Sequence, residues 1–410
     1  MMKLLVITAF FPPHHAGGYG IRCKEVTDEL SKRGHQIIIL TNRCIMPNCT
    51  IHNDEIRVYR DLHLKGTKPD IINQIKNDIS DLRFIENKLN EFNPDIIYLW
   101  HIQNFTNSML SYFSSTKKQI VWDDGGYNVL YFTEIHNQGG YFYNKPYDSF
   151  VRKLLKKIVN FFAYVVSSGL INPYWNWPKE LQIYYNSQSS FENSSNLGAN
   201  NKNAKVINSG IQIEKFPYKI RKSIELPLSI IVPSRIKGEK GIADIILLAR
   251  ELTSRNIKVV FTVIGEIQSE EFFSEFAELI HKNQLSDNIQ IYPMTDQEEL
   301  SLLYRENQFC YFPSMFKSGF SRVPLEAMAS GCLVISYGNE GSAEYIQNDE
   351  TGILVSEGNV KEIANNLSKL IERSSDYLRI VKNARKQVES NYSFDSYIDS
   401  VESFLLKSIK

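Results

Sequence analysis

The chain has 410 residues, 43% hydrophobic and 22% charged, a globular balance spread over more length than one hydrophobic core serves. Its 46 basic side chains are matched by 46 acidic ones, so the basic excess that binding a nucleic-acid backbone demands is missing and no nucleic-acid partner is expected. Five scattered cysteines, Cys23, Cys44, Cys49, Cys310 and Cys332, predict reduced thiols and a cytoplasmic setting, and Cys44 with Cys49 has no second pair or His cluster to complete a metal site.

In chain order, KLLVITAFF reads as a buried parallel strand ended by Pro12 and Pro13, and its apolar run is too short for a secretory signal. A Gly-rich loop follows. Cys23, Val26, Thr27 and Leu30 then recur at helical spacing up to Gly34, and HQIIILT supplies a second strand. This βαβ order puts Gly17, Gly18 and Gly20 at the carboxyl edge of a sheet, without the GxGxxG spacing of a dinucleotide site. A helix is expected over Ile71 to Phe92, then the strand PDIIYLW with His101 behind it, then QIVWDD ending in Asp123 and Asp124. Residues 127–147, rich in Gly, Asn and aromatics, read as a long irregular connection.

The segment SFVRKLLKKIVNFFAYVVSSGLI joins Arg152, Lys153, Lys156 and Lys157 to an apolar stretch too short to span a bilayer. Two readings stand: a helix packed on the sheet with its basic face in water, or a peripheral contact with anionic lipid at the inner face of a membrane. QSSFENSSNLGANNKN reads as a low-complexity surface loop.

After KVINSGIQIEKF and the polar linker KIRKSIELP, the series restarts as strand LSIIVPSR, loop IKGEKG, a helix with Ile242, Ile245, Ile246, Ala249 and Leu252 on one face, and strand IKVVFTVIG. The fold class is therefore α/β, with two Rossmann-like doubly wound domains over 1–215 and 216–391 and a cleft between them. Arg235 and Lys240 sit on a Gly-rich loop between strand and helix, where a fork and a point charge can neutralise a pyrophosphate. In YFPSMFKSGFSRVPLEAMASGCLVIS, an apolar run leads through a loop with Ser318, Gly319 and Phe320 to a Pro-initiated helix with Glu326 in its first turn. Helix-start N–H groups suit a diphosphate, and a carboxylate beside them accepts from a ribose diol.

Taken together, the Gly17-Gly18 loop, PDIIYLWH, NSGIQIEKF, SRIKGEKG, FTVIG, PSMFKSGFSRVPLEAMASGCLVIS and EGSAEYIQNDETGILV resemble the retaining family-4 glycosyltransferases of the GT-B fold over nearly the whole chain. The resemblance implies two facing Rossmann-like domains and a terminal helix, about 392–410, crossing back to the first with Tyr397, Val401, Phe404 and Leu405 on one face. It implies no cofactor and no metal, a nucleotide-sugar co-substrate, and a glycan or lipid-linked saccharide acceptor. Arg235 and Lys240 would bind the donor diphosphate, Glu326 the ribose, and Gly17, Gly18, Ser318, Gly319, Phe320 and Ser321 the rest of the donor. His101, with Trp100 as rival, would stand near the donor sugar, and Asp123 and Asp124 on the acceptor side or as loop caps. The pattern has two glutamates separated by seven residues, and counting back from Glu326 finds Ser318 where the first belongs; Ser321 likewise replaces a glycine. The departure touches the sugar contact and leaves open a second reading, a catalytically silent sugar-nucleotide-binding or scaffold subunit. A nucleotide-sugar epimerase or hydrolase of the same fold would want further carboxylates or His.

Overall fold

The computed structural model describes residues 1–13, 17–43, 58–64, 70–126, 129, 149–172, 181–317 and 319–409. The connection expected at 127–147 (save Val129), Cys44, Cys49 and Ser318 lie outside the described residues. The chain divides into two compact units. The first comprises Met1–Asn186, Ser190–Ile207 and Ile398–Lys410, the second Ser187–Ser189 and Asn208–Tyr397. The sequence alone places the boundary at 215/216 and the returning helix from about 392.

In the first unit, β1 (Lys3–Ile7), β2 (Gln36–Asn42), β3 (Val58–Leu62), β4 (Ile96–Leu99), β5 (Gln119–Asp124), β6 (Gln182–Tyr185) and β7 (Lys205–Val206) form one parallel sheet in the order β3-β2-β1-β4-β5-β6-β7. Its central strands are buried on both faces, as parallel strands covered by crossover helices must be. The crossovers include α1 (Gly18–Lys32), α2 (Ile71–Phe92), α3 (Asn107–Ser115), α4 (Phe150–Val166) and α5 (Gln188–Asn196). Helix α1 buries Cys23, Val26, Thr27 and Leu30, the stripe its spacing predicts. Helix α2 starts where Asp70 accepts the Asn73 N–H at 3.2 Å and ends at Asn93 in the left-handed conformation.

The second unit repeats the plan. β8 (Leu228–Pro233), β9 (Val259–Ile264), β10 (Ile289–Tyr292), β11 (Phe309–Phe312), β12 (Leu333–Ser336) and β13 (Ile353–Leu354) are parallel in the order β10-β9-β8-β11-β12-β13. Between them run α6 (Asp244–Ser254), α7 (Glu270–Lys282), α8 (Gln297–Glu306), α9 (Val323–Ser330) and α10 (Val360–Glu372), followed by α11 (Ser374–Asn391) and α12 (Phe394–Ser408). Helix α6 buries Ile245, Ile246, Ala249 and Leu252 as expected. In both sheets the strand order reverses beside the first strand, between β1 and β4 and between β8 and β11, and ligands of open parallel sheets bind outside the carboxyl ends at such a switch point.

Two expectations are corrected. Residues 188–196 are a helix, not a loop: Ser190 and Ser194 are small enough to bury against the sheet, and Phe191 packs edge-on to Tyr185 at 5.7 Å. Packing overrides the weak propensity of Ser and Asn. Helix α4, in turn, does not keep its basic face in water and its apolar face in the core. Lys156, Asn160 and Ala163 are the buried positions, while Phe150, Leu154, Ile158, Phe161 and Val165 are exposed.

Candidate functional site

The residues singled out in the second unit gather at its switch point. From β8 the chain leaves through Ser234 and Arg235 into the turn Gly238–Lys240. Gly241 has φ +67°, and a Cβ there would stand 2.0 Å from the Pro313 carbonyl oxygen, so only glycine lets this turn lie against the loop that leaves β11. The Met315 N–H donates to the Glu239 carbonyl at 3.1 Å and ties the same two loops. Lys240 is thereby buried. Its ammonium lies 5.7 Å from the centre of the Phe316 ring and is ion-paired with Glu340, which also accepts from the Ser314 hydroxyl. Arg235 behaves differently: it is exposed and donates to Gln268 Oε1 at 3.3 Å.

Helix α9 opens with Pro324 in its first turn and carries Glu326 there, as the sequence predicts. Glu326 is buried, and the Tyr304 hydroxyl donates to its Oε2 at 3.3 Å. Burial, then the charge of Glu326, pushes the Tyr304 phenol well up, so Tyr304 remains a donor at neutral pH. Ahead of the helix, Gly319 has φ +99° and Phe320 packs on Tyr345 at 5.1 Å. Phe320 is thus an anchor for the loop rather than an open wall. Ser321 donates its N–H to the Glu340 carbonyl at 3.0 Å and accepts from the Tyr345 hydroxyl at 2.9 Å through its own carbonyl.

In the first unit the switch point lies between β1 and β4. Gly17 caps α1 with φ +78°, and a Cβ on either Gly17 or Gly18 meets nothing within 4 Å, so the two glycines border open space. His101 follows β4, half-buried between the rings of Phe10 at 5.1 Å and Tyr19 at 5.7 Å. Burial alone pushes its pKa down to about 4, which keeps the imidazole neutral at pH 7. Trp100, the rival of His101, is fully buried and belongs to the core.

Asp123 and Asp124 are fully buried. The Asp123 carboxylate is ion-paired with Arg22 and accepts from the Tyr184 hydroxyl at 2.5 Å; burial raises its pKa, with Arg22 opposing. Asp124 accepts the Gly126 N–H at 3.1 Å, the loop-cap alternative. What the sequence did not signal is Glu340, whose carboxylate meets Lys240 from a loop a hundred residues away, and Tyr304, the donor to Glu326. Among the described residues no group of three or more His, Cys, Asp or Glu is placed to hold a metal ion.

With this geometry in hand, comparison with known proteins is informative. Residues 218–387 match the family described as Glycosyl transferases group 1. The chain is 28% identical over 193 residues to the amylovoran biosynthesis glycosyltransferase AmsK of Erwinia amylovora, covering 46% of this chain and 47% of that protein. It is 29% identical over 201 residues to the capsular polysaccharide biosynthesis glycosyltransferase CapM of Staphylococcus aureus, covering 47% and 52%. The chain thus spans about half the length of these curated relatives. Among solved structures, Anabaena Alr3699/HepE in complex with UDP-glucose superposes with a TM-score of 0.70 at 16% identity over 99% of this chain and 100% of that one. This likeness establishes the fold as GT-B, with two Rossmann-like domains.

Proposed function

We propose that this chain, whose residues 218–387 match the family described as Glycosyl transferases group 1, moves a sugar from a nucleotide-diphosphate sugar to a hydroxyl of a saccharide or lipid-linked glycan, with retention and without a metal, in polysaccharide or glycoconjugate assembly. The observation that carries this reading is the buried Lys240, held by the Gly-rich turn at the switch point between β8 and β11, one loop away from the acid-bearing start of α9. A buried ammonium at the carboxyl edge of a parallel sheet suits a pyrophosphate. The capsule and amylovoran roles of the relatives and the UDP-glucose bound by HepE support the substrate class.

In this reading Lys240 and the exposed fork of Arg235 stabilise charge on the departing diphosphate, the electrostatic demand of the reaction. Glu326, oriented by Tyr304, accepts from the ribose diol; backbone groups near Gly319 and Ser321 border the phosphates. Gly17 and Gly18 leave room on the first unit's edge, and the neutral His101 offers a hydrogen bond without a charge. No protein nucleophile is invoked: the leaving diphosphate takes the acceptor proton on the face it vacates. Ser318 in place of an acid shifts donor sugar preference, and turnover unchanged by Ser318→Glu with common nucleotide-hexoses counts against that. The test of the whole reading is release of nucleoside diphosphate from a panel of nucleotide sugars on adding an acceptor mixture. Release supports it, whereas donor binding without release favours the silent subunit.

The acceptor side is supported by α4. Along its outward face run Phe150, Val151, Leu154, Leu155, Ile158 and Phe161, all exposed, and Lys153 and Lys157 line one edge of that face. The helix contains no acidic residue. A large apolar stripe with a basic margin is the build of a helix lying in a bilayer interface, with the lysine stems spread toward the headgroups, so the partner surface is an anionic membrane that presents a lipid-linked acceptor. Among the described residues no helix is long and apolar enough to cross a membrane.

A further inference from the structure

Residue 340 is an unusual place for a glutamate. Glu340 has φ +50°, a left-handed backbone where glycine is the unstrained choice, as in its neighbour Gly341 at +72°. Its main chain holds both ends of one loop: the Glu340 N–H donates to the Phe316 carbonyl at 3.2 Å, and the Glu340 carbonyl accepts the Ser321 N–H at 3.0 Å. Its carboxylate turns inward instead of to solvent. One oxygen, Oε1, receives both the Lys240 ammonium and the Ser314 hydroxyl, in a pair whose side chains are about nine-tenths buried. A buried pair of this kind adds little net stability over apolar packing, so stability alone is a poor reason for an acid on strained backbone.

We infer that Glu340 is the resident counter-charge of Lys240, a positioning residue that holds the ammonium at the switch point and competes with the incoming diphosphate for it. The inference rests on the diphosphate reading above. While the site is empty, Glu340 neutralises a cation that would otherwise be buried alone. Once a diphosphate arrives, two anions share one ammonium, and Glu340 weakens the complex it helped to prepare. The carboxylate thereby sets how firmly the nucleoside diphosphate is held, and how readily it leaves after transfer.

The test is binding of UDP, GDP, ADP, CDP and dTDP to the full chain by calorimetry, with wild type, Glu340→Gln, Glu340→Asp and Glu357→Gln. Glu357 is an acid on the neighbouring loop that pairs with Lys317 at the surface, so its variant removes the same charge without touching the buried pair. The expected result is that Glu340→Gln binds the preferred diphosphate roughly tenfold more tightly, a change equivalent to one charge contact, while Glu340→Asp and Glu357→Gln stay within about twofold of wild type. Glu340→Gly, which suits the left-handed backbone, removes the carboxylate in a second way and replaces the Gln variant if that one does not fold. Unchanged or weaker binding in a folded Gln or Gly variant overturns the inference, because a purely scaffolding role predicts that sign. Equal tightening by Glu357→Gln also overturns it in favour of overall charge. If wild type binds none of the five, the diphosphate reading falls and this inference with it.

Discussion

At the residue scale, the burial of Lys240 changes what its removal means. Lys240→Ala takes away a cation from the diphosphate site but also strands Glu340, and an unpaired buried carboxylate costs roughly 3 kcal/mol. We expect turnover to fall at least about 100-fold, measured well below a lowered melting temperature, with Lys240→Ala/Glu340→Gln recovering much of the stability and little of the rate. His101 gives a pH prediction. Its folded pKa, about 4, lies below the ordinary histidine value near 6.5, so the native state binds fewer protons in that window and stability falls as pH drops from about 6.5 toward 4. His101→Gln should flatten that part of a melting-temperature profile; an unchanged slope counts against the buried neutral imidazole. Lys240 was legible in the sequence because a cation on a Gly-rich loop between strand and helix announces its own geometry. Glu340 was not: it opens the segment EGSAEYIQNDETGILV, but nothing there points to its partner, which is remote in sequence. Asp123 and Asp124 end β5, but their burial was not legible, because a strand-terminal carboxylate reads the same whether it meets solvent or, like Asp123, an arginine such as Arg22.

At the scale of elements, glycines separate packing from backbone preference. Gly241 and Gly17 share positive φ, yet only at Gly241 does a Cβ collide with main chain, the Pro313 carbonyl. Gly17→Ala is expected to cost about 1 kcal/mol by urea unfolding, the backbone share alone, and Gly241→Ala about 3 kcal/mol or more because the loops after β8 and β11 must part. Similar costs for both would show that the Gly241 contact relaxes freely. The same distinction explains what periodicity could read. Strands β1, β2, β8 and β11 were legible as short continuous apolar runs, because parallel strands are covered on both faces, and the stripes of α1 and α6 were legible because burial on one face imposes a helical period. Helix α5 was not, as its inward face is serine and carries no hydrophobic signal. Helix α4 was half legible: its basic and apolar residues were plain, but which face turns outward depends on Ala163 and Asn160 fitting where Phe161 and Phe162 do not. Replacing Leu154, Ile158 and Phe161 by serine should leave the fold intact, since these side chains are exposed, and abolish co-flotation with vesicles of anionic phosphatidylglycerol. Lys153→Glu/Lys157→Glu should weaken flotation at low salt most. Binding equally strong to zwitterionic vesicles would remove the electrostatic part of the proposal.

For the whole molecule, the two sheets use one topology twice, and each places its proposed residues on the loops that flank its own reversal of strand order. Duplicated architecture was readable because both halves restart with the same strand, glycine loop and helix. The passage of the chain back into the first unit from Ile398 onward came only through the family resemblance, since an amphipathic C-terminal helix does not say what it covers. Here Arg33 donates to Asp399 at 2.6 Å and Glu402 at 2.7 Å, and Phe404 meets Tyr184 at 5.5 Å. That return has a consequence for biosynthesis. A ribosome delivers β1 long before the α12 segment, so the first sheet waits for residues 398–409 to close its surface, while the second unit can be complete before them. A chain stopped after Tyr397 should therefore be cut by protease in residues 1–207 while 208–391 resists.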